Sequence, residues 1–257
     1  MLKKIIVNAD DWGLHSSINE AIVDGVNIGC INGISVCVNG TASDINTLRY
    51  LYQKGIRIGL HLTWVGEPWL TKKVQFHNWK NFLIAYLLNK KNFINDIIIE
   101  SEAQLNKLVE AGIIPSHIDS HQHLHVLPEL WEYVNLVALK IDNCNVRSCY
   151  VKDRKWIKKG VSGKMLQKFA SKNFNEEQSF FSCAGIKYSG NNTLATIKKE
   201  INENSSNFIE LIVHPGKSNQ ELSSKFPKWN YNWEAEYHLL MSPEFIPFIT
   251  RSGYLFV

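Results

Sequence analysis

The chain has 257 residues, 45% hydrophobic and 20% charged, enough apolar material for one substantial core and a composition that excludes a disordered or fibrous protein. Twenty-eight basic and 24 acidic residues give a formal charge of +4, without the dense Lys/Arg stripe that a phosphate backbone demands, so nucleic acid is not an expected partner. Five widely spaced cysteines (Cys30, Cys37, Cys144, Cys149, Cys183) with no Cys-x-x-Cys pair argue against a disulfide framework or a thiolate zinc site and fit a reduced, cytoplasmic setting.

In chain order, residues 4–9 (KIIVNA) form a short run rich in β-branched side chains, the pattern of a buried strand, and lead into Asp10, Asp11, Trp12 and Gly13. Two lysines followed by only three apolar residues are too little for a secretory signal, and no later run reaches spanning length, so neither export nor membrane insertion is expected. Residues 16–29 have helical spacing, with Ser17 opening a capping-box pattern that closes on Glu20. Strands are expected at 33–39 and 56–62, separated by a helix over 41–55 that stops at Gly55. The stretch 65–94 is weakly patterned and reads as an insertion, with Trp64, Trp69 and Trp79 at its edge or within it. A helix over 95–112 ending at Gly112, a strand over 116–121, a helix over 127–142 and a strand over 145–151 continue the alternation. Charge runs at 89–92 and 152–159 read as solvated loops or helix faces. Residues 152–192 fit no element well, and strands at 208–214 and 253–257 close the chain.

Strands alternating with helices over the full length predict a parallel sheet covered by helices. Asp10, Asp11, Asn39, His61, Asp119, His121, Arg147 and His214 all fall at or just after a predicted strand end. A barrel brings such ends to one mouth, whereas an open doubly wound sheet spreads them along an edge, and no glycine-rich phosphate loop follows the first strand. The expected fold class is therefore α/β, a TIM-barrel-like (β/α) barrel, irregular and with fewer than eight regular strands allowed. It forms a single domain over 1–257, with 65–94 laid over the mouth as a lid.

Because Asp10 and Asp11 are adjacent, one carboxylate can bind a cation while its neighbour remains free as a base. Taken alone, the pair reads equally well as a turn and helix cap. His61 ends an apolar strand, where a lone histidine is more often a satisfied core residue than a ligand. Residues 116–129 (SHIDSHQHLHVLPE) change that balance by placing His117, Asp119, His121, His123 and His125 ahead of Pro128. A strand that ends near His121 leaves His117 toward its start, takes His121 to the mouth, and puts His123 and His125 in the loop behind. Two imidazoles and one carboxylate suit zinc and are tolerable to other divalent ions, magnesium normally preferring more oxygen. Asp11, His61 and His121 are accordingly the candidate ligands of one divalent metal ion, which lowers the pKa of bound water to about 7 in favourable sites and polarises a carbonyl. Asp10 is the candidate base, and Asp119 and His125 are candidates to fix the tautomer of a ligand imidazole. His214, followed by Pro215 and Gly216, is either a strand-end cap or the general acid for a departing amine. Arg147 is placed to orient Asp10, to bind substrate, or to form an ordinary surface pair.

The segments IVNADDWG (6–13), GISVCVNG (33–40), IGLHLTWVGEP (58–68), HIDSHQHLHVLP (117–128) and VHPG (213–216) together resemble, in order and over nearly the whole chain, the YdjC-like carbohydrate deacetylases, whose members include chitooligosaccharide deacetylases. That resemblance implies a TIM-barrel-like fold and metal-dependent release of acetate from an N-acetylated sugar, a mono- or oligosaccharide that is free or carrier-linked. Position by position it places the Mg2+ or Zn2+ site on Asp11, His61 and His121, the base on Asp10 and the acid on His214. Two departures stand out: Trp12 replaces the usual Phe, and no arginine precedes the EYHLL stretch at 236–240, so substrate recognition is expected to differ. Trp64, Trp69, Trp79, Trp229 and Trp233 are candidates to stack on a sugar face, although packing is the commoner role for each. One rival takes HQHLH as the His-x-His of a metal-dependent phosphoesterase or amidohydrolase. Another is a non-catalytic metal-bearing sugar-binding protein, against which the presence of both Asp10 and His214 argues. A homodimer is compatible with all three.

Overall fold

The first strand, β1 (Lys3–Trp12), is buried from Ile5 onward and forms the centre of the sheet in a computed structural model that describes residues 2–151, 161–173 and 181–257. The elements that follow are α1 (Ser16–Asn27), β2 (Gly33–Val36), α2 (Ile45–Gln53), β3 (Arg57–Leu62), α3 (Trp79–Leu88), α4 (Lys90–Glu110) and β4 (His117–Ser120). A 3-10 turn (His121–Val126) leads into α5 (Pro128–Ala138), β5 (Asn145–Val146), α6 (Val161–Asn173), β6 (Ser182–Ala184), α7 (Leu194–Glu203) and β7 (Phe208–Val213). The chain closes with α8 (Asn219–Lys225), α9 (Trp233–Met241), α10 (Phe245–Arg251) and β8 (Tyr254–Phe256).

All strand pairs are parallel, in the order β5-β4-β3-β2-β1-β7-β6, and β8 pairs with the start of β1. The sheet curls into a half-barrel of the TIM-barrel type, as the alternating pattern implies. The segment that follows β5 reaches the other edge strand, where Cys183 N–H of β6 donates to the Tyr150 carbonyl at 2.7 Å.

Side-chain alternation along the strands separates two environments. Ile5, Val7 and Ala9, Ile34 and Val36, Ile58, Leu60 and Leu62, and Ile209, Leu211 and Val213 join one buried apolar cluster with the helices. The alternate positions hold Asn8, Asp10, Ser35, His61, His117, Asp119, Glu210 and His214, all buried. The barrel interior is therefore polar, and space for it is kept by glycine. A Cβ on Gly59 would lie 2.2 Å from His117 Nε2, so no larger residue fits beneath that ring.

Local signals place the helices, with one correction. Gly55 and Gly112 follow the ends of α2 and α4 with φ of 84° and 77°, as helix-stopping glycines do. The cap of α1, however, is His15, whose Nδ1 accepts from Ser17 N–H at 3.2 Å. Ser17 sits inside the helix and its hydroxyl instead accepts from the backbone N–H groups of Lys217 and Ser218. The strand expected over 145–151 is only two residues long. The stretch 152–192 contains α6 and β6, while the charge run at 152–159 lies outside the described residues.

The segment that follows β3 is held by buried polar groups of α4. Glu100 accepts from Leu70 N–H, Thr71 N–H and Thr71 Oγ1, each at 3.0 Å or less, and Gln104 exchanges two hydrogen bonds with the backbone of Thr63. Trp64, Trp69, Phe76, Phe82 and Phe93 pack ring on ring beneath it.

Candidate active site

Two consecutive carboxylates reach the barrel mouth because β1 carries a bulge there. Its register against β2 passes from Ala9–Ile34 to Trp12–Val36, one extra residue on the β1 side, and Asp11 has φ 72°. Aspartate tolerates this left-handed conformation better than most residues, and the bulge aims side chains that ordinary pleating would send to opposite faces. Gly13, with φ 97°, completes the turn, where a Cβ would lie 2.6 Å from the Cys37 carbonyl oxygen.

Asp11 Oδ1 stands between two imidazoles, 3.5 Å from His61 Nε2 and 3.0 Å from His121 Nδ1. His61 Nδ1 lies 2.6 Å from Asp119 Oδ1, and that carboxylate fixes which ring nitrogen of His61 faces Asp11. Burial alone would raise the Asp11 carboxyl, but His121 and His61 hold it well below the usual carboxylate range. Burial likewise opposes charge on His61, yet Asp119 and Asp10 push its pKa up to about 10. The site thus pulls strongly on positive charge.

Asp10 is locked from behind. Arg147 Nη1 and Nη2 donate to its two oxygens at 2.7 and 2.8 Å, and Asn8 Nδ2 donates to Oδ1 at 2.8 Å. The same guanidinium pairs with Asp119 Oδ2 at 2.6 Å and with Glu210 Oε1 at 2.7 Å. Ser35 Oγ ties the ring together, donating to Asp119 Oδ2 and accepting from Asn8 Nδ2, each at 2.8 Å. One guanidinium therefore faces Asp10, Asp119 and Glu210, although burial raises the Glu210 carboxyl.

Donors able to hold a divalent cation cluster here: Asp11, Cys37 and His61 bring potential ligand atoms within 4.8 Å of one another, and His121 Nδ1 reaches Asp11 Oδ1 from outside that group. Two ligands each about 2.1 Å from a tetrahedral ion stand about 3.4 Å apart, close to the spacings around Asp11 Oδ1. His121 Nε2 is buried without a hydrogen-bond partner. Cys37 also approaches Asp11 and His61, but burial and the Asp11 charge raise its thiol far above its ordinary value, so it stays protonated.

His214 faces this cluster from the end of β7, with Nε2 3.9 Å from Asp10 Oδ2 and Nδ1 buried without a partner. Its backbone N–H is held by Glu236 Oε2 at 2.6 Å, and Glu236 Oε1 also accepts from Asn192 N–H at 2.9 Å. Asp10, His61, His121 and His214 open into a cavity of about 340 Å³, whose walls include Trp79, Leu83, Phe169, Lys228, Trp229 and Tyr231. Trp229 stacks on His121 at 4.8 Å, and Tyr231 meets His214 edge-on at 5.2 Å.

A sequence model of YdjC-like proteins matches residues 4–251. The chain belongs to the YdjC-like family. Carbohydrate deacetylases of Clostridium beijerinckii and Halalkalibacterium halodurans are 33% and 32% identical to this YdjC-like chain, over 52% and 54% of it. Those alignments span only 56% and 61% of the relatives' own lengths. A chitooligosaccharide deacetylase of Yersinia pestis is 26% identical over 99% of this chain and 97% of its own. In fold, a crystal structure of a candidate cellobiose-phosphate cleavage protein from Enterococcus faecalis matches the whole chain and 97% of its own, with a TM-score of 0.75 at 18% identity. A peptidoglycan N-acetylglucosamine deacetylase matches more loosely, with a TM-score of 0.51 at 15% identity over 99% of this chain and 85% of its own.

The structure of this YdjC-like chain brings Asp10, Asp11, His61, Asp119, His121 and His214 together at one mouth. Two expected assignments do not fit it. Trp64 is wholly buried, stacked on Phe82 with Nε1 donating to Ser101 Oγ, and is not part of the cavity wall. His125 contacts neither His61 nor His121; it holds Ser120 Oγ and the Arg147 carbonyl. Of the three roles open to Arg147, the contacts match the first: it lies beneath Asp10, donates to both its oxygens, and is not part of the cavity wall. Of the five tryptophans, Trp79 and Trp229 line the cavity, whereas Trp69 and Trp233 are buried in the core. Gln122 and His123, both with positive φ, also line it, and sequence reasoning assigned them no role. Ser35, Glu210 and Glu236 were missed as well, although their place on polar alternate positions of β2 and β7, and just after the HPG turn's partner helix begins, was the only available signal.

Proposed function

We propose that this protein is a metal-dependent carbohydrate N-deacetylase that hydrolyses the acetamide of an N-acetylhexosamine unit to the free amine and acetate. The observation that carries the reading is the mouth geometry. Asp11 is bracketed by His61 and His121 beside a cavity that also receives Asp10 and His214. The names of its relatives support the same reaction. Asp11, His61 and His121 would hold the divalent ion, Zn2+ or Mg2+, which when bound supplies Lewis-acid polarisation of the acetyl carbonyl and acidifies water.

The remaining work falls to the chain. Asp10, oriented by Arg147, takes the proton of the attacking water. His214 approaches from the other side and donates a proton to the departing nitrogen, so the amine leaves neutral and acetate leaves with the water's oxygen. Asp119 keeps the His61 ring turned toward Asp11. Glu236 anchors the backbone of His214 while leaving its ring free. Trp79 and Trp229 offer faces to the sugar ring.

The test is acetate release from a panel of N-acetylated sugars by protein stripped of metal and reloaded with Zn2+ or Mg2+. Release that depends on reloading supports the proposal. Stoichiometric metal with no release from any sugar would overturn it, and retained sugar affinity in that case would identify a binding protein.

A further inference from the structure

The segment from the end of β3 to the first turns of α4 carries a charge pattern that the proposed reaction does not use. Residues 68–95 contain no aspartate or glutamate and five lysines (Lys72, Lys73, Lys80, Lys90 and Lys91), in a chain with 24 acidic residues elsewhere. Lys72 pairs with Asp96 and Lys90 with Glu129. Among the described residues, Lys73, Lys80 and Lys91 have no carboxylate within ion-pair distance.

Within this segment α3 is apolar on both sides. Its inner face buries Phe82 and Tyr86, while Ile84, Leu87 and Leu88 are 56%, 73% and 82% exposed. At about 100° per residue, Lys80, Ile84, Leu87 and Leu88 share roughly 100° of helix surface. Three large aliphatic side chains in one exposed cluster, with lysines at both ends of the helix, match the boundary of an anionic bilayer. The aliphatic tips can enter the acyl region while the lysines extend to headgroup phosphates. A second copy of the chain is a poorer occupant, because a two-fold contact sets the same patch against itself and brings the cationic rims together.

We propose that the outer face of α3 docks this protein on an anionic lipid surface. No helix among the described residues is long and apolar enough to cross a membrane, so the contact lies on the bilayer. Trp79 and Leu83 of the same helix line the cavity, and docking would therefore set the mouth beside the lipid.

The test is co-flotation of the full chain with phosphatidylcholine vesicles prepared with and without phosphatidylglycerol, a readout that needs no catalysis and so stands apart from the deacetylase reading. We expect binding to the phosphatidylglycerol vesicles only, released by high salt, and weakened about fivefold by each of Lys80→Gln and Lys91→Gln. Leu87→Gln with Leu88→Gln should abolish it while leaving the circular dichroism spectrum unchanged, since both side chains are exposed. Absence of binding, equal binding to neutral vesicles, or unaltered binding by these variants would overturn the proposal. Sedimentation showing a dimer that the Leu87/Leu88 variant dissolves would also overturn it, by assigning the face to a second copy.

Discussion

The two sides of the barrel mouth are built differently. On the side of β1, β3 and β4, Asp10, Asp11, His61, Asp119 and His121 are interlocked, with Arg147 bonded to three carboxylates beneath them. On the side of β7, His214 is held by its backbone, while its ring has one buried nitrogen without a partner and the other 3.9 Å from Asp10. The first side is fixed by charged and hydrogen-bonding partners, the proposed base Asp10 among them, whereas the proposed acid His214 keeps its ring nitrogens available. The contrast predicts that removing a group that does the locking, Arg147 or Asp119, damages stability or metal affinity, and that replacing a proton-transfer group, Asp10 or His214, damages rate alone.

The largest effects should come from the two proton-transfer groups. Asp10→Asn is expected to lower kcat by about 10²–10⁴, with bound metal unchanged by elemental analysis. His214→Gln should lower kcat by about 10² or more, with an unfolding midpoint close to that of the unaltered protein. Normal turnover by either variant would move that role to another residue. Arg147→Met tests the locked side from below. It leaves Asp10, Asp119 and Glu210 buried without their shared cation, and should cost about 3–5 kcal/mol in denaturant unfolding. A loss similar to that of His214→Gln would erase the distinction between the two sides.

A smaller effect belongs to Asp119, which touches the proposed metal site only through His61. Asp119→Asn keeps a group that can hydrogen-bond the ring but removes its charge, and should weaken metal affinity by about 10–100-fold, read by competition with a chelator. Unchanged affinity would mean that the Asp11 contact alone sets the ring.

The distribution of these roles also explains how much could be read from sequence. The alternation of β-branched runs and helical spacing carries the fold directly, because β2, β4 and β6 are buried throughout and Gly55 and Gly112 mark helix ends by their positive φ. The histidine cluster and the paired aspartates were legible because chemistry is concentrated at strand ends. Depth was not. Trp64 and Trp79 look alike in sequence, yet one is sealed against Ser101 and Phe82 and the other lines the cavity. His123 and His125 differ in the same way: the left-handed turn at Gln122 and His123 sends one imidazole to the cavity and lets the other bind Ser120 and Arg147. Nor does sequence show that a single arginine will serve three carboxylates from three strands, since that depends on register across the sheet.

The smallest effect, and the finest test of the contrast, lies in how the loop after His214 is tethered. Asp24 of α1 lies 2.8 Å from Lys217 Nζ and accepts from Tyr237 Oη at 2.8 Å. The hydrogen bond from Lys217 lowers the Asp24 pKa, burial opposes the shift weakly, and the Tyr237 hydroxyl adds to it. The folded chain therefore binds this proton less tightly than the unfolded chain does. The stabilisation is present above the unfolded carboxylate pKa of about 3.9 and is lost as pH falls through the lowered folded value. Both side chains are about one-third exposed, at 34% and 35%, so solvent screens the pair. Asp24→Asn should then cost only about 0.2–1 kcal/mol at neutral pH, a difference that disappears in unfolding experiments at acid pH. Because Ser17 also holds this loop by two backbone hydrogen bonds, kcat should stay unchanged. A fall in kcat alongside the small loss of stability would show that the position of His214 depends on this exposed pair, making the β7 side as dependent on a fixed charge as the side opposite.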